Sequence, residues 1–398
     1  MAMKNWHLPR GFRFSGIHSG LRPEPERRDL ALVVSDWPAS AAGVFTQNRV
    51  VAAPVKVCRE RLPVADARGI VICSGNANAC TGERGLADAR RMTTIAGGAV
   101  GCRAEQILVC STGVIGRLLP MPIMEAGIPR AARELAEGPV ALENAARAIL
   151  TTDKVLKVAT RQVKSDRGPI AVTGFAKGAA MIGPNMATLL AFVLTDGAVA
   201  PDDLARLAPR AAEQSFNCLS VEGHTSTNDS LIFLANGDGP KLRGDDLAQF
   251  ETVAIDVCAE LARAMADDAE GASHLVTIEV EGLRDDAEAR RVAKAVAESA
   301  LVKTAIYGAD PNWGRIVSAA GYAGVEFEEE QMSLWVGDLL LYREGVPMPF
   351  DAKAASAYLR HNHHIHLRLR FMLGAGRTTF WTCDLTPEYV RLNADYTT

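Results

Sequence analysis

The sequence predicts an α+β fold, a layered α/β sandwich of mixed sheets and helices with more than one subdomain. Three observations carry this. Apolar runs of strand length recur along the whole chain, helical patterns fall between them without regular βαβ alternation, and 398 residues exceed one ordinary hydrophobic core. The strand-like runs are residues 30–34, 70–73, 107–110, 231–234, 276–280 and 332–336. Residues 364–371 alternate polar and apolar side chains, the period of a half-buried strand. Helical spacing appears at 84–96, 131–150 in part, 201–215, 245–268 and 286–299, the last with an acidic first turn. A doubly wound nucleotide-binding sheet fits this order less well.

Composition removes several function classes. Hydrophobic residues make up 48% and charged residues 23%, and a net charge of −4 gives no pull toward nucleic acid or anionic lipid. The first 20 residues hold no apolar stretch of signal-peptide length. No apolar run reaches the roughly 18 residues of a membrane span. A cytoplasmic protein with neither nucleic-acid nor membrane partners is expected. The 8 cysteines contain no C-x-x-C pair, so reduced and mostly buried thiols are expected rather than a metal quartet. His361, His363, His364 and His366 cluster, but no carboxylate or cysteine follows at ligand spacing. This reads as an exposed sheet edge, and no metal is expected.

Residues 173–184 read as a turn-rich approach to Asn185-Met-Ala-Thr188, and residues 189–194 as a buried strand. A threonine at the mouth of a buried strand commonly does nothing more than open it.

Eight collinear segments change that reading. Lys177-Gly-Ala-Ala-Met-Ile-Gly-Pro-Asn-Met-Ala-Thr188 resembles the cleavage and nucleophile motif of the ornithine acetyltransferases, also called glutamate N-acetyltransferases. In the first half, Gly43-Val-Phe-Thr-Gln-Asn48 with Ala52-Ala-Pro54, Ser74-Gly-Asn-Ala-Asn-Ala-Cys-Thr-Gly82 and Ser111-Thr-Gly-Val-Ile-Gly116 resemble the same family. In the second half, so do Thr225-Ser-Thr-Asn-Asp229, Lys303-Thr-Ala-Ile-Tyr-Gly308, Asp310-Pro-Asn-Trp-Gly-Arg315 and the closing Tyr389–Thr398 segment. One such glycine motif would be weak; eight in family order are not.

The resemblance implies a self-cleaving acetyltransferase of arginine biosynthesis. Cleavage at Ala187–Thr188 divides residues 1–187 from 188–398, and the two fragments stay together, assembled as a heterotetramer of two pairs. Thr188 then takes the acetyl group of N-acetylornithine and passes it to glutamate. No cofactor is implied, and acetyl-CoA enters only as a potential second donor. Thr112 and Gly113 would stabilise the oxyanion. Thr152, Lys177, Thr188, Glu270, Asn393 and Thr398 would line the substrate pocket. Asp310–Arg315 would be structural, a turn with a buried Trp and a paired Arg.

The chemistry is coherent in its own terms. A threonine hydroxyl needs a base, and cleavage before it creates an α-amine of reference pKa about 7.7–8.0 beside that hydroxyl. Both cleavage and transfer pass through an oxyanion that needs fixed donors. The same nucleophile with water as acceptor would be an aminopeptidase or amidase, and a chain that has lost cleavage would be a binding protein.

Three departures stand out. The family carries Asp where His224 stands and Lys where His274 stands, which suggests a lost ion pair. Ala180 replaces a glycine, which puts the strain of the cleavage loop in question.

Overall fold

Three short segments, Ile170–Lys177, Leu190–Thr195 and Ser230–Ala235, are buried at every position. Strands covered on both faces have this pattern, and here they form the middle of a sheet. The computed structural model describes residues 6–165, 168–183 and 189–395. Its larger sheet contains β1 (Phe12–Ile17), β2 (Leu30–Phe45), β3 (Val64–Asn76), β4 (Ile107–Val114) and β5 (Lys157–Val163). It continues with β6 (Ile170–Lys177), β7 (Leu190–Thr195) and β8 (Ser230–Ala235). The order is β4-β3-β2-β8-β7-β6-β5, with β1 paired to β2.

The second sheet contains β9 (Leu275–Leu283), β10 (Met332–Val336), β11 (Leu339–Arg343), β12 (Val346–Pro347), β13 (His364–Phe371) and β14 (Gly376–Cys383). Its order is β12-β11-β10-β13-β9-β14. Both sheets mix parallel and antiparallel neighbours, as the irregular order of strands and helices predicts.

Helices cover the faces. Gly82–Val100, Met121–Arg133 and Pro139–Ala148 pack on the β1–β4 side, where Phe12, Phe14, Leu30 and Ile70 are buried. Pro201–Glu213 and Gly244–Asp267 pack on β2 and on β5 and β6, and Gly244–Asp267 also reaches β14 and β9. A continuous apolar cluster runs from β6 and β7 through these helices to the second sheet. No helix among the described residues is long and apolar enough to cross a membrane.

Several expectations need correction. Residues 173–177 are not a turn but the end of β6, because a two-sided apolar environment overrides the glycine there. The 131–150 pattern straddles two helices separated at Gly138, whose φ is +93°. The histidine strand β13 is no edge, since it lies between β10 and β9. His364 and His366 do share a face, with ring centroids 4.1 Å apart, and His364 pairs with Thr277 at 2.7 Å. Trp313 is half-buried and stacks on Tyr342, and Arg315 donates to the Leu301 carbonyl rather than to an acid. All eight cysteines are free, and six are buried.

The β6–β7 pairing joins the two sides of residue 188. Phe175 and Phe192 oppose each other across it, fully buried, with ring centroids 5.0 Å apart. Phe192→Ala should lower stability by about 3–5 kcal/mol, whereas Phe192→Leu should cost less than half as much. Urea unfolding midpoints at constant m-value measure both.

Candidate functional site

The strand registers decide where the site forms. Lys177, the last residue of β6, pairs with Leu190, and Leu190 pairs with Ser230. The end of β6 and the starts of β7 and β8 therefore lie side by side. Thr112 and Gly113, near the end of β4, face the same region: the Lys177 ammonium donates to Thr112 Oγ1 at 3.5 Å.

A cavity of about 330 Å³ opens there. Its lining includes Thr112, Gly113, Thr152, Lys177, Glu270 and Asn393, all the expected site residues that are described. Thr188, Ala187 and Thr398 lie outside the described residues. Residues far apart in sequence thus converge on one space whose wall carries a cation, a carboxylate, a hydroxyl and side-chain amides.

Gly113 is there for close approach. Its φ is +128°, and a Cβ would stand 2.4 Å from the Gly75 carbonyl carbon and 2.6 Å from Asn76 N. Only glycine lets β4 and β3 end so tightly together. Asn228 then fixes the same turn from the other side. Its amide donates to Ala77 O at 2.6 Å and to Ser111 O at 2.8 Å. The Ser111 carbonyl belongs to the peptide group that leads into Thr112, so Asn228 fixes the backbone that enters the Thr112–Gly113 turn. Sequence reasoning matched the segment holding Asn228 but assigned it no role.

Lys177 is buried. Burial lowers its pKa, opposed chiefly by the charge of Asp153. Behind it, Lys157 donates to Asp153 Oδ1 at 2.7 Å and to Asp268 Oδ2 at 2.6 Å, with all three side chains almost fully buried. Asp153 also accepts the Gly178 N–H at 2.7 Å and the Thr151 N–H at 3.1 Å. Burial by itself would raise the Asp153 pKa. Lys177 and Lys157 outweigh it and hold the carboxyl well below the usual carboxylate range. This network locks the Thr151–Asp153 turn, and hence Thr152, against the end of β6. Nothing in the local pattern of 151–157 announces it.

On the far wall, Glu270 N donates to Ala179 O at 2.8 Å, and its Oε2 accepts from Asn393 Nδ2 at 3.4 Å. Gly271, at φ +70°, makes room for the closing helix Pro387–Asp395, since a Cβ would lie 2.4 Å from Tyr389 N. Thr386 Oγ1 adds a bond to Gly271 O at 2.6 Å. These contacts bring Asn393 to the pocket.

The departures resolve in part. Ala180 lines the cavity without a positive φ, and the left-handed residue is its neighbour Met181, at φ +57°. The left-handed strain of this loop therefore sits at Met181. His274 keeps an acidic partner, with Nδ1 2.8 Å from Asp384 Oδ2. Burial pushes the Asp384 carboxyl up, but bonds from His274 and Ser273 hold it below its usual value. His224 is exposed. Among the described residues, no group of three or more His, Cys, Asp or Glu side chains is placed to hold a metal.

Comparison with known proteins follows the same lines. The chain matches the ArgJ family over residues 13–398. It is 43% identical over 408 aligned positions to the arginine biosynthesis bifunctional protein ArgJ of Thermosynechococcus vestitus, covering 98% of this chain and 97% of the relative. Among solved structures, an ArgJ from Bacillus halodurans is similar at a TM-score of 0.50 and 38% identity, covering 52% of this chain and 98% of that one. An ornithine acetyltransferase from Mycobacterium tuberculosis, complexed with ornithine, aligns at 37% identity and a TM-score of 0.42, covering 46% and 94%.

Lys157→Met would leave Asp153 and Asp268 buried without their shared cation and should cost about 3–5 kcal/mol, measured by urea unfolding at pH 7. The pH dependence has a definite sign. Because the folded-state pKa of Asp153 is depressed, its contribution is complete above the unfolded value of about 3.9 and is lost as pH falls below it. The gap in stability between the variant and the parent should narrow below about pH 4.

Proposed function

The chain belongs to the ArgJ family, and on that premise we propose that it moves the acetyl group of N-acetylornithine onto glutamate through an acetyl ester of Thr188. The observation that carries this is the single cavity lined by Thr112, Gly113, Thr152, Lys177, Glu270 and Asn393 beside the start of β7.

The first step is maturation. The Thr188 hydroxyl attacks the Ala187 carbonyl, the peptide C–N bond breaks, and hydrolysis of the resulting ester frees a terminal threonine. Two features support this. The solved Bacillus halodurans chain aligns along 98% of its length to only 52% of this one, so that polypeptide is about half as long. The fragments 1–187 and 188–398 would also share one sheet, because β7 pairs with β6 along six residues and β8 pairs with β2. Separation would break the centre of a buried sheet, so the fragments remain one body. Assembly of two such pairs into a heterotetramer is part of the proposal.

In turnover, the α-amine takes the hydroxyl proton as Thr188 Oγ attacks the acetyl carbonyl of N-acetylornithine. The Thr112 hydroxyl and the Gly113 N–H carry the oxyanion. Collapse expels ornithine, protonated by the ammonium, and leaves an acetyl ester. The α-amine of glutamate then attacks the ester and leaves as N-acetylglutamate. Lys177 offers a charge for a substrate carboxylate, and Glu270 with Asn393 offers acceptors for its ammonium or amide N–H groups. No cofactor takes part. Acetyl-CoA is a second donor to the same ester, in keeping with the bifunctional name of the relatives. The enzyme works in the cytoplasm.

Denaturing electrophoresis and an acetyl-transfer assay test this together. The parent chain should run as fragments of 187 and 211 residues. Thr188→Ala should stay whole and inactive, while Thr188→Ser keeps part of both properties. An active, uncleaved Thr188→Ala enzyme would sink the proposal. Ornithine release from N-acetylornithine should depend on added glutamate; release indifferent to glutamate would make the protein a hydrolase. Thr112→Ala should lower kcat by about 10²–10³, the cost typical of one lost oxyanion donor.

A further inference from the structure

Asp229 ends the Thr225-Ser-Thr-Asn-Asp229 motif and is fully buried. Its Oδ1 accepts the Leu189 N–H at 3.1 Å. Its Oδ2 is buried with no hydrogen-bond partner among the described residues. Buried carboxyl oxygens are rarely left in that state, and each one calls for a reason. The neighbouring hydroxyl of Thr46 is committed elsewhere, to Ser226 O at 2.6 Å, and Asn228 is spent on Ala77 and Ser111.

Covalent geometry supplies the missing partner. Leu189 N is joined to Thr188, and the Thr188 α-nitrogen is three bonds away along the backbone. We propose that Asp229 is a positioning residue for the nucleophile: Oδ1 anchors the Leu189 amide, and Oδ2 receives the α-amine that cleavage frees on Thr188. This rests on the reading of Thr188 as the nucleophile and adds to it the group that orients its base.

The electrostatics agree with that geometry. Burial pushes the Asp229 carboxyl well above the ordinary carboxylate range, opposed by the Leu189 amide and the charge of Lys177. A carboxyl and an amine placed together exchange one proton, as COOH with NH2 or COO⁻ with NH3⁺, with no net gain or loss. Asn228 and Asp229 are consecutive. One residue holds the peptide group that leads into Thr112 while the next anchors the nucleophile strand, so a single turn links the two sides of the site.

The test uses the full chain with Asp229→Asn and Asp229→Ala. Asp229→Asn keeps an acceptor for Leu189 and is expected to fold and cleave. Its kcat should fall about tenfold with KM for N-acetylornithine within about twofold, as misplacement of a reacting group predicts. The acid limb of its kcat–pH profile should move down by about one unit, because removing a neighbouring negative charge makes the ammonium easier to deprotonate. A lost packing contact alone would not move that limb. Asp229→Ala, if folded by its thermal transition, should cleave at least about tenfold more slowly. A cleaved Asp229→Asn enzyme with parental kcat and an unshifted limb overturns the proposal. So does folded but uncleaved Asp229→Asn, or Asp229→Ala that matures at the parental rate. Each of these leaves the nucleophile assignment standing, since only an active Thr188→Ala removes that.

Discussion

A backbone ladder holds the site together. β7 is inserted between β6 and β8, antiparallel to one and parallel to the other, with Lys177, Leu190 and Ser230 in register. Side chains alternate faces along a strand, so a slip of one residue in either ladder would turn Lys177 away from Thr112 and unseat Leu189 from Asp229. All three strands are buried on both faces, which makes such a slip expensive. The ladder also crosses the proposed scission point, so the chain can be cut there without losing the sheet that positions the new terminus.

Around this ladder the polar groups are placed at high electrostatic stakes. Lys157, Asp153, Asp268 and Lys177 form a charge cluster shielded from water, in which removing one member exposes the others to an uncompensated interior. Such clusters contribute little net stability, but they permit few alternative geometries. The turn at 151–153 is consequently held as firmly as a strand. By contrast, Asp229 Oδ2 and both carboxyl oxygens of Glu222 are buried without a hydrogen-bond partner among the described residues, and burial raises the pKa of each carboxyl, Glu222 to about 8. Glu222 N donates to Ile182 O and Asp229 accepts the Leu189 N–H, on either side in sequence of the proposed scission point.

Much of this was legible in the chain itself. Apolar runs at 332–336 and 364–371 became β10 and β13 with the same limits, and the 286–299 helix was off by one residue. These elements have a single strong period and ordinary caps, so local pattern sufficed. The motif residues were legible because short, chemically constrained segments keep their identity: Gly113 must be glycine at φ +128° against Gly75, whatever surrounds it.

What only the tertiary structure decided lies in long-range pairings. Lys177 read as part of a turn, because glycines surround it in sequence while strands surround it in space. β13 read as an edge because exposure of alternate histidines is the same at an edge and in the middle of a sheet with one wet face. The Lys157–Asp268 pair joins residues 111 positions apart, Asn228 reaches Ser111 across 117, and Asp229 meets Leu189 across 40. No local periodicity encodes such contacts. They depend on which strands become neighbours, and that follows from burying the two apolar faces of β6, β7 and β8 at once.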